Sequence, residues 1–575
     1  MTDTIANNIP DSRGTNAYRA DPVLADLMEI YLPQDSLSRI LPELDSMGAL
    51  VGDRLEDLAL AADHNPPVFQ PRDRTGARAE KIVKHPAYQQ LESIAFGRFG
   101  LAAMSHRPGV FDAPDKTHPV AKYGLTYLFV QAEFGLCCPV SMTDSLTRTL
   151  MKFGDPALVN RFFDRLTSQD MDTLFQGAMF MTEQAAGSDV GEIETVARQE
   201  DGEWRLTGDK WFCSNPDAAL AMVLARPDGD GAARSGTKGL SLFLLPRHLP
   251  DGSLNSYRIL RLKDKMGTRS MASGEIALEG ATAYLVGEAG AGFKQMTDMI
   301  NMSRLANGVR SAGLMRRAVA EALFIARHRQ AFGGRLIDKP LMRRQLAKML
   351  VPAEQGRSMV LHTARVLHAA DAGDAEAYKV LRILTPLVKF RTCRDARKVA
   401  GDAMEVRGGC GYIEEFSDAR VLRDAHLGSI WEGTSNIIAL DVLRAARRAG
   451  ALDALADYLR ARLVECEAGL ADEIASFMER AVALTRTVAE TAAEVDARRA
   501  ASALYCATSA VVMAWEAAQL PQQAGADRAM LARMVLRHRL TAQDPLAPTE
   551  AEPDSLSGLL DRAGRDANNA AEVQR

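Results

Sequence analysis

No apolar run in this 575-residue chain approaches the roughly 20 residues that cross a bilayer. Residues 1–8 have neither the basic start nor the apolar core of a secretory leader. The expectation is a cytoplasmic protein without membrane association. Cysteine is scarce: the seven (Cys137, Cys138, Cys213, Cys393, Cys410, Cys466 and Cys506) are odd in number, with no C-x-x-C pair and no histidine at zinc-ligand spacing. That pattern excludes a disulfide framework and leaves reduced core thiols, so no metal is expected. Neither charge sign dominates, with 69 Lys and Arg against 74 Asp and Glu, a net −5, and no lysine follows Lys398. A globally basic nucleic-acid binder is excluded, though not a local basic patch.

What is present is ordinary globular material, 47% hydrophobic and 25% charged, in a chain long enough for about two to four domains. After a polar arm over residues 1–20, apolar residues recur at helical spacing from Pro22 to Thr173, as in Val23, Leu24, Leu27, Met28 and Tyr31. Near Gly177 the period changes. Short β-branched and aromatic runs at 195–197, 204–208, 219–225, 239–245 and 273–278 predict a small antiparallel barrel or sandwich, with an exposed loop over 226–236. Helical patterns return at Gly292, and a proline- and acid-rich tail after Thr541 carries a short apolar piece at Leu556, Leu559 and Leu560. The expected fold is mainly α with a central β-barrel domain. Its expected parts are an N-terminal arm and helical domain (1–175), the barrel (176–288), a helical domain (289–446) and a C-terminal helical extension (447–575).

One stretch stands out for chemistry. Residues 423–436, R-D-A-H-L-G-S-I-W-E-G-T-S-N, place Glu432 in a loop between two helical patterns. Thr434, Ser435 and Asn436 are helix-capping residues ahead of Ile437, Ile438, Leu440, Val442 and Leu443, so a helix starts there. A helix start offers unpaired N–H groups to an anionic or hydrogen-bond-accepting ligand. Taken alone, Glu432 still reads as a solvated loop carboxylate.

The stretch as a whole resembles the R-D-A-x-x-x-x-I-[YW]-E-G-T-[SN] signature of the acyl-CoA dehydrogenase family. The resemblance implies that family's fold with an added C-terminal helical domain, FAD as cofactor, an acyl-CoA substrate, a homotetramer, and Glu432 as the base that removes the substrate's α-proton. A thioester α-C–H is too weakly acidic for an exposed carboxylate to deprotonate readily. A buried base and donors to the developing enolate oxygen narrow that gap.

Five further motifs extend the resemblance. Residues 181–190, M-T-E-Q-A-A-G-S-D-V, are similar to L-T-E-P-x-A-G-S-D-V and imply that Met181, Thr182, Gly187 and Ser188 hold the flavin edge and a phosphate, with Ser188 also on the substrate side. Residues 208–215, G-D-K-W-F-C-S-N, are similar to G-x-K-x-W-I-T-N and imply flavin contacts from Phe212, Cys213 and Ser214, with phenylalanine where the family has tryptophan. R-Q-A-F-G at 329–333 implies that Arg329 and Phe332 reach the cofactor of a neighbouring subunit, the arginine through the pyrophosphate. E-V-R-G-G-C-G-Y at 405–412 implies the same of Glu405, Gly408 and Gly409, with Glu405 replacing glutamine. N-M-S-R at 301–304 resembles D-x-x-R and implies that Asn301 and Arg304 help hold coenzyme A, with Gly433 also substrate-facing. Trp431, Thr434 and Asn436 complete the implied cofactor set. Some members carry their glutamate one residue before that arginine. Here the position is Ser303, which leaves Glu432 as the base offered.

Within the family the resemblance is nearest to the AidB-like, alkylation-response branch, itself similar to isovaleryl-CoA dehydrogenases, on Asn65-Pro66-Pro67, Leu136-Cys137-Cys138-Pro139 and residues 262–267. That branch implies feeble dehydrogenase activity and duplex DNA bound through the C-terminal domain. The rival expectation is therefore a flavin-containing DNA-binding or DNA-protecting protein, its phosphates met by arginines between Arg444 and Arg539. The same arginines are as well explained by solvated helix faces among acidic neighbours.

Overall fold

The computed structural model describes residues 9–228, 236–448, 450–547 and 555–564. The start of the expected arm, most of the 226–236 loop and much of the tail lie outside the described residues. The chain forms two compact units, one of residues 1–56, 118–132 and 304–575 and the other of residues 57–117 and 133–303. Among the described residues no helix is long and apolar enough to cross a membrane.

The expectation of an all-helical chain up to Thr173 fails at residues 68–83. There β1 (Val68–Arg72) and β2 (Arg78–Val83) form an antiparallel hairpin that pairs Phe69 with Ile82. Asp73 accepts from the Thr75 and Ala77 amides, and Gly76 takes φ 85° in the turn. Only one side of the hairpin is buried, with Ile82 against Ile259 and Ala272 and Phe69 beside them. The charged remainder hides the alternation from a sequence reading.

The rest of this unit is built on a barrel of β3 (Gly177–Phe180), β4 (Val196–Glu200), β5 (Glu203–Ser214), β6 (Leu220–Pro227), β7 (Ser241–Pro246), β8 (Tyr257–Leu262) and β9 (Ser273–Val286). The order β6-β4-β5-β9-β7 closes back on β6, with β3 beside β6 and β8 beside β9. The barrel is mixed rather than purely antiparallel, since β3 and β4 both run parallel to β6. Phe180, Leu206, Cys213, Val223, Phe243, Ile276 and Leu278 fill its core. β7 is buried along its whole length and apolar from Leu242 to Leu245, as a strand covered on both faces requires.

The other unit is helical. Its long helices are the part of Gly292–His328 from Arg304 onward, Pro340–Asp371 and Ala375–Arg407, the last capped by Asp374 accepting from the Glu376 and Ala377 amides. Ser417–Gly428 and Ser435–Arg447 follow, and then the expected C-terminal helices Ala451–Val464, Ala468–Thr491, Ala497–Gln519 and Gln522–Val535. The apolar piece of the tail forms the helix Ser555–Arg562. It buries Leu556, Leu559 and Leu560 and is held by Arg316 to the Ala563 carbonyl and Arg327 to the Leu560 carbonyl, each at 2.7 Å.

Candidate active site

The helix Ser417–Gly428 stops at a closely packed glycine: a Cβ on Gly428 would stand 2.9 Å from Ser311 Oγ, which would have to move. Asn307 Nδ2 donates to the Gly428 carbonyl at 2.9 Å. From there the chain turns through Glu432 (φ 57°) and Gly433 (φ 107°), two successive residues in the left-handed region. Thr434 then occupies the N-cap of Ser435–Arg447, where the capping residues place it, although its side chain makes no cap hydrogen bond.

The Glu432 side chain is only 6% exposed, with Oε1 3.9 Å from Nη2 of the fully buried Arg310. Oε2 is buried and accepts no hydrogen bond among the described residues. The Arg310 guanidinium lies over the Trp431 ring, 4.7 Å from its centroid. Two cations grip the loop backbone. Arg304 donates from Nε to the Glu432 carbonyl at 3.2 Å and pairs through Nη1 with Asp441 at 2.6 Å, while Lys389 Nζ donates to the Gly433 carbonyl. Burial pulls the Lys389 ammonium below its ordinary pKa; Arg304 and Arg310 push the same way, against Cys393 and Glu432. The backbone N–H groups of Glu432 and Gly433 donate to no acceptor among the described residues.

Sequence reasoning brings Glu432, Trp431, Gly433, Thr434 and Arg304 to this loop and misses Arg310, Lys389 and Asp441. A signal for Arg310 exists, because Arg304, Asn307, Arg310 and Ser311 recur at helical spacing on one face. For Lys389 the signal is a lone cation among Leu384, Leu387, Val388 and Phe390. Asn301 and Ser303, earlier on the same helix, each keep a side-chain oxygen buried without a hydrogen-bond partner. Asn436 is exposed in the first turn of its helix.

In the barrel unit, the pairing of β5 with β9 slips between Lys210 and Cys213, so Trp211 and Phe212 sit on a bulge. Freed from the ladder, the Trp211 amide donates to the Thr182 carbonyl at 2.8 Å, which stitches the 181–190 and 208–215 motifs together. Beneath them, buried Glu183 takes Lys210 Nζ and Thr195 Oγ1 at 2.5 Å each and the Glu194 amide at 2.7 Å. Burial opposes the Glu183 charge, but Lys210, Thr195 and the Glu194 amide together outweigh it and hold the carboxyl below its usual range. Around this anchor Met181, Thr182 and Ser214 are half-buried, Gly187 and Ser188 are exposed, and Phe212 is 57% exposed. The Cys213 side chain instead points into the barrel core.

The remaining motif residues lie at helix ends. Arg329 is exposed and makes no side-chain hydrogen bond or ion pair among the described residues, and Phe332 is 91% exposed. Glu405 is exposed in the last turn of Ala375–Arg407, and a Cβ on Gly408 or Gly409 would meet nothing within 4 Å. Within the barrel unit, half-buried and exposed hydroxyls, an open aromatic face and bare backbone at Gly187 suit the ring edge of a large aromatic cofactor. Within the helical unit, an uncommitted guanidinium and bare backbone at Gly408 and Gly409 suit a pyrophosphate.

Three family models match the sequence: the adaptive response protein AidB N-terminal domain over residues 7–173, the acyl-CoA dehydrogenase middle domain over 178–281 and the acyl-CoA dehydrogenase C-terminal domain over 290–447. Acyl-CoA dehydrogenase family member 11 of Caenorhabditis elegans is 35% identical over 75% of this chain and 70% of its own length. The putative acyl-CoA dehydrogenase AidB of Escherichia coli is 34% identical over 80% of this chain and 83% of its own. The crystal structure of Caenorhabditis elegans ACDH-11 in complex with C11-CoA superposes with a TM-score of 0.86 at 28% identity, covering 95% of this chain and 94% of that one.

Proposed function

The chain belongs to the acyl-CoA dehydrogenase family, and from that membership we propose that this FAD-dependent oxidoreductase desaturates an acyl-CoA thioester between Cα and Cβ, with Glu432 as the base. The observation that carries the reading is Glu432 Oε2, a buried carboxylate oxygen that accepts no hydrogen bond among the described residues and so keeps a lone pair for a proton. The Glu432 N–H, left without an acceptor, is suited to receive the thioester oxygen as it gains enolate charge. FAD supplies the acceptor for the β-hydride when bound. Thr182, Ser188 and Ser214, with the Met181 backbone, would hold its ring edge and Phe212 would cover it. Arg329 and the open backbone at Gly408 and Gly409 would take the pyrophosphate end of the FAD held by a second copy.

The C11-CoA bound by the Caenorhabditis elegans relative supports an acyl-CoA thioester as the substrate class. The homotetramer implied by the family resemblance would have a second copy cover Phe332 and Tyr412, which are 91% and 80% exposed. The test is Glu432→Gln. The variant should keep its yellow FAD yet lose anaerobic bleaching by C11-CoA by at least about 100-fold; bleaching at the native rate would remove Glu432 as the base.

A second reading, binding of a polyanion such as duplex DNA, draws support from Arg394, Arg397 and Arg498, none of which has an ion-pair partner among the described residues. Burial and the charges of Arg498, Arg397 and Arg391 hold Arg394 below its ordinary pKa, the mark of crowded cations. Most arginines expected from the C-terminal domain are committed elsewhere: Arg528 to Glu354 and Glu516, Arg460 to Glu479, Arg533 to Glu473 and Arg539 to Asp395.

A further inference from the structure

Glu432 is a non-glycine residue at φ 57°, and Gly433 follows it at φ 107°. A side chain in that region is strained and persists only where its surroundings impose it. Two carbonyls of this turn have an imposed direction. That of Glu432 is fixed by Arg304, which Asp441 fixes in turn. That of Gly433 is fixed by Lys389. Gly433 is also closely packed, since a Cβ there would stand 2.8 Å from Ile438 Cδ1.

Lys389 itself is 1% exposed. Among the described residues it has no ion-pair partner, and its ammonium is directed at a neutral backbone oxygen. Burying an ammonium without a carboxylate partner is expensive, and a core helix position needs nothing more than a leucine or methionine. The burial cost lowers its pKa, and the nearby Glu432 charge offsets part of that.

We propose that Lys389 is a positioning residue for Glu432: by holding the Gly433 carbonyl it fixes the left-handed turn, and with it the directions of Glu432 Oε2 and the Glu432 N–H. The proposal rests on the reading of Glu432 as the base.

The test uses the full-length FAD-loaded protein mixed anaerobically with C11-CoA, following flavin bleaching against thioester concentration. Lys389→Met, which keeps the stem and removes the donor, should lower the limiting rate about 100-fold while the half-saturating concentration moves less than about 3-fold, because a misdirected base costs rate before affinity. Lys389→Arg should recover about 10-fold of that loss, since a guanidinium can still donate to the carbonyl. Independently of turnover, amide hydrogen exchange over residues 429–434 should quicken about 10-fold in Lys389→Met and stay near native in Lys389→Arg. Where Lys389→Met fails to retain FAD, Lys389→Gln is measured in the same way. A native limiting rate, or native exchange over 429–434, overturns the proposal. Glu432→Gln run in parallel separates the two ideas. If it is inactive while Lys389→Met is native, only the positioning role falls; if it bleaches normally, the base assignment falls first.

Discussion

Arg304 donates from Nε to the carbonyl oxygen of Glu432 at 3.2 Å, across 128 residues of sequence. Its other arm is committed to Asp441 at 2.6 Å. An arginine so occupied orients the loop first, and any contribution to coenzyme A comes from what remains of its fork. Arg304→Lys, which cannot keep both bonds, should therefore lower kcat/KM by about 1.5–3 kcal/mol, or roughly 10- to 100-fold, with most of the loss in kcat. Steady-state kinetics with C11-CoA decides the matter: a change confined to KM would assign the guanidinium to the substrate.

Arg329 makes no side-chain hydrogen bond or ion pair among the described residues, so its removal disrupts no internal pairing. If it grips the pyrophosphate, Arg329→Ala should release FAD with an affinity loss of about 10-fold or more, the scale of a lost charge-assisted hydrogen bond. Fluorescence of free flavin during dialysis measures this. Unchanged retention would make Arg329 a solvated helix-end charge.

How far the molecule can be read from its sequence depends on how far apart the cooperating residues lie. The strands β4, β6 and β7 follow from short apolar runs punctuated by Gly, Asp and Pro. β3 does not, because Gly177–Phe180 is too short to show a period, and β8 does not, because Leu260 interrupts its alternation and is 43% exposed. Glu432 is legible through a contiguous signature. Lys389 is not, since it meets the loop from 44 residues away and only packing of the long helices brings it there.

Arg394, Arg397 and Arg498 make a quantitative prediction about polyanion binding. Each phosphate contact contributes about 0.9 to the slope of log affinity against log salt on duplex DNA, so converting all three to serine should flatten the slope by about 2.7. Electrophoretic or anisotropy titrations at several salt concentrations provide the slope. Equal slopes for native and triple variant, or no binding at low salt, would retire the polyanion reading without touching the dehydrogenase reading.

His362 is 1% exposed and lies between two tyrosines, with Nδ1 3.1 Å from Tyr31 Oη and Nε2 2.8 Å from Tyr458 Oη. Tyr31 Oη donates to Glu516 at 2.8 Å, so it accepts from Nδ1–H, and Nε2 then accepts from Tyr458. Burial, with Arg365 and Arg462 nearby, pulls the imidazole pKa from 6.5 down to about 3. The unfolded chain therefore takes up this proton near 6.5 while the folded chain does not until about 3, so stability falls as pH drops through that window and is flat above it. At about pH 5.5 this histidine alone should cost about 1.4 kcal/mol relative to neutral pH. Urea midpoints measured from about pH 7.5 to 5.5 test the sign, and His362→Gln, which keeps a donor and an acceptor but does not titrate, isolates the residue. The variant's stability should fall less steeply with acid by close to one proton's worth. An unchanged slope would place the acid sensitivity elsewhere, with His118, held down to about 4 chiefly by burial, as the next group to replace.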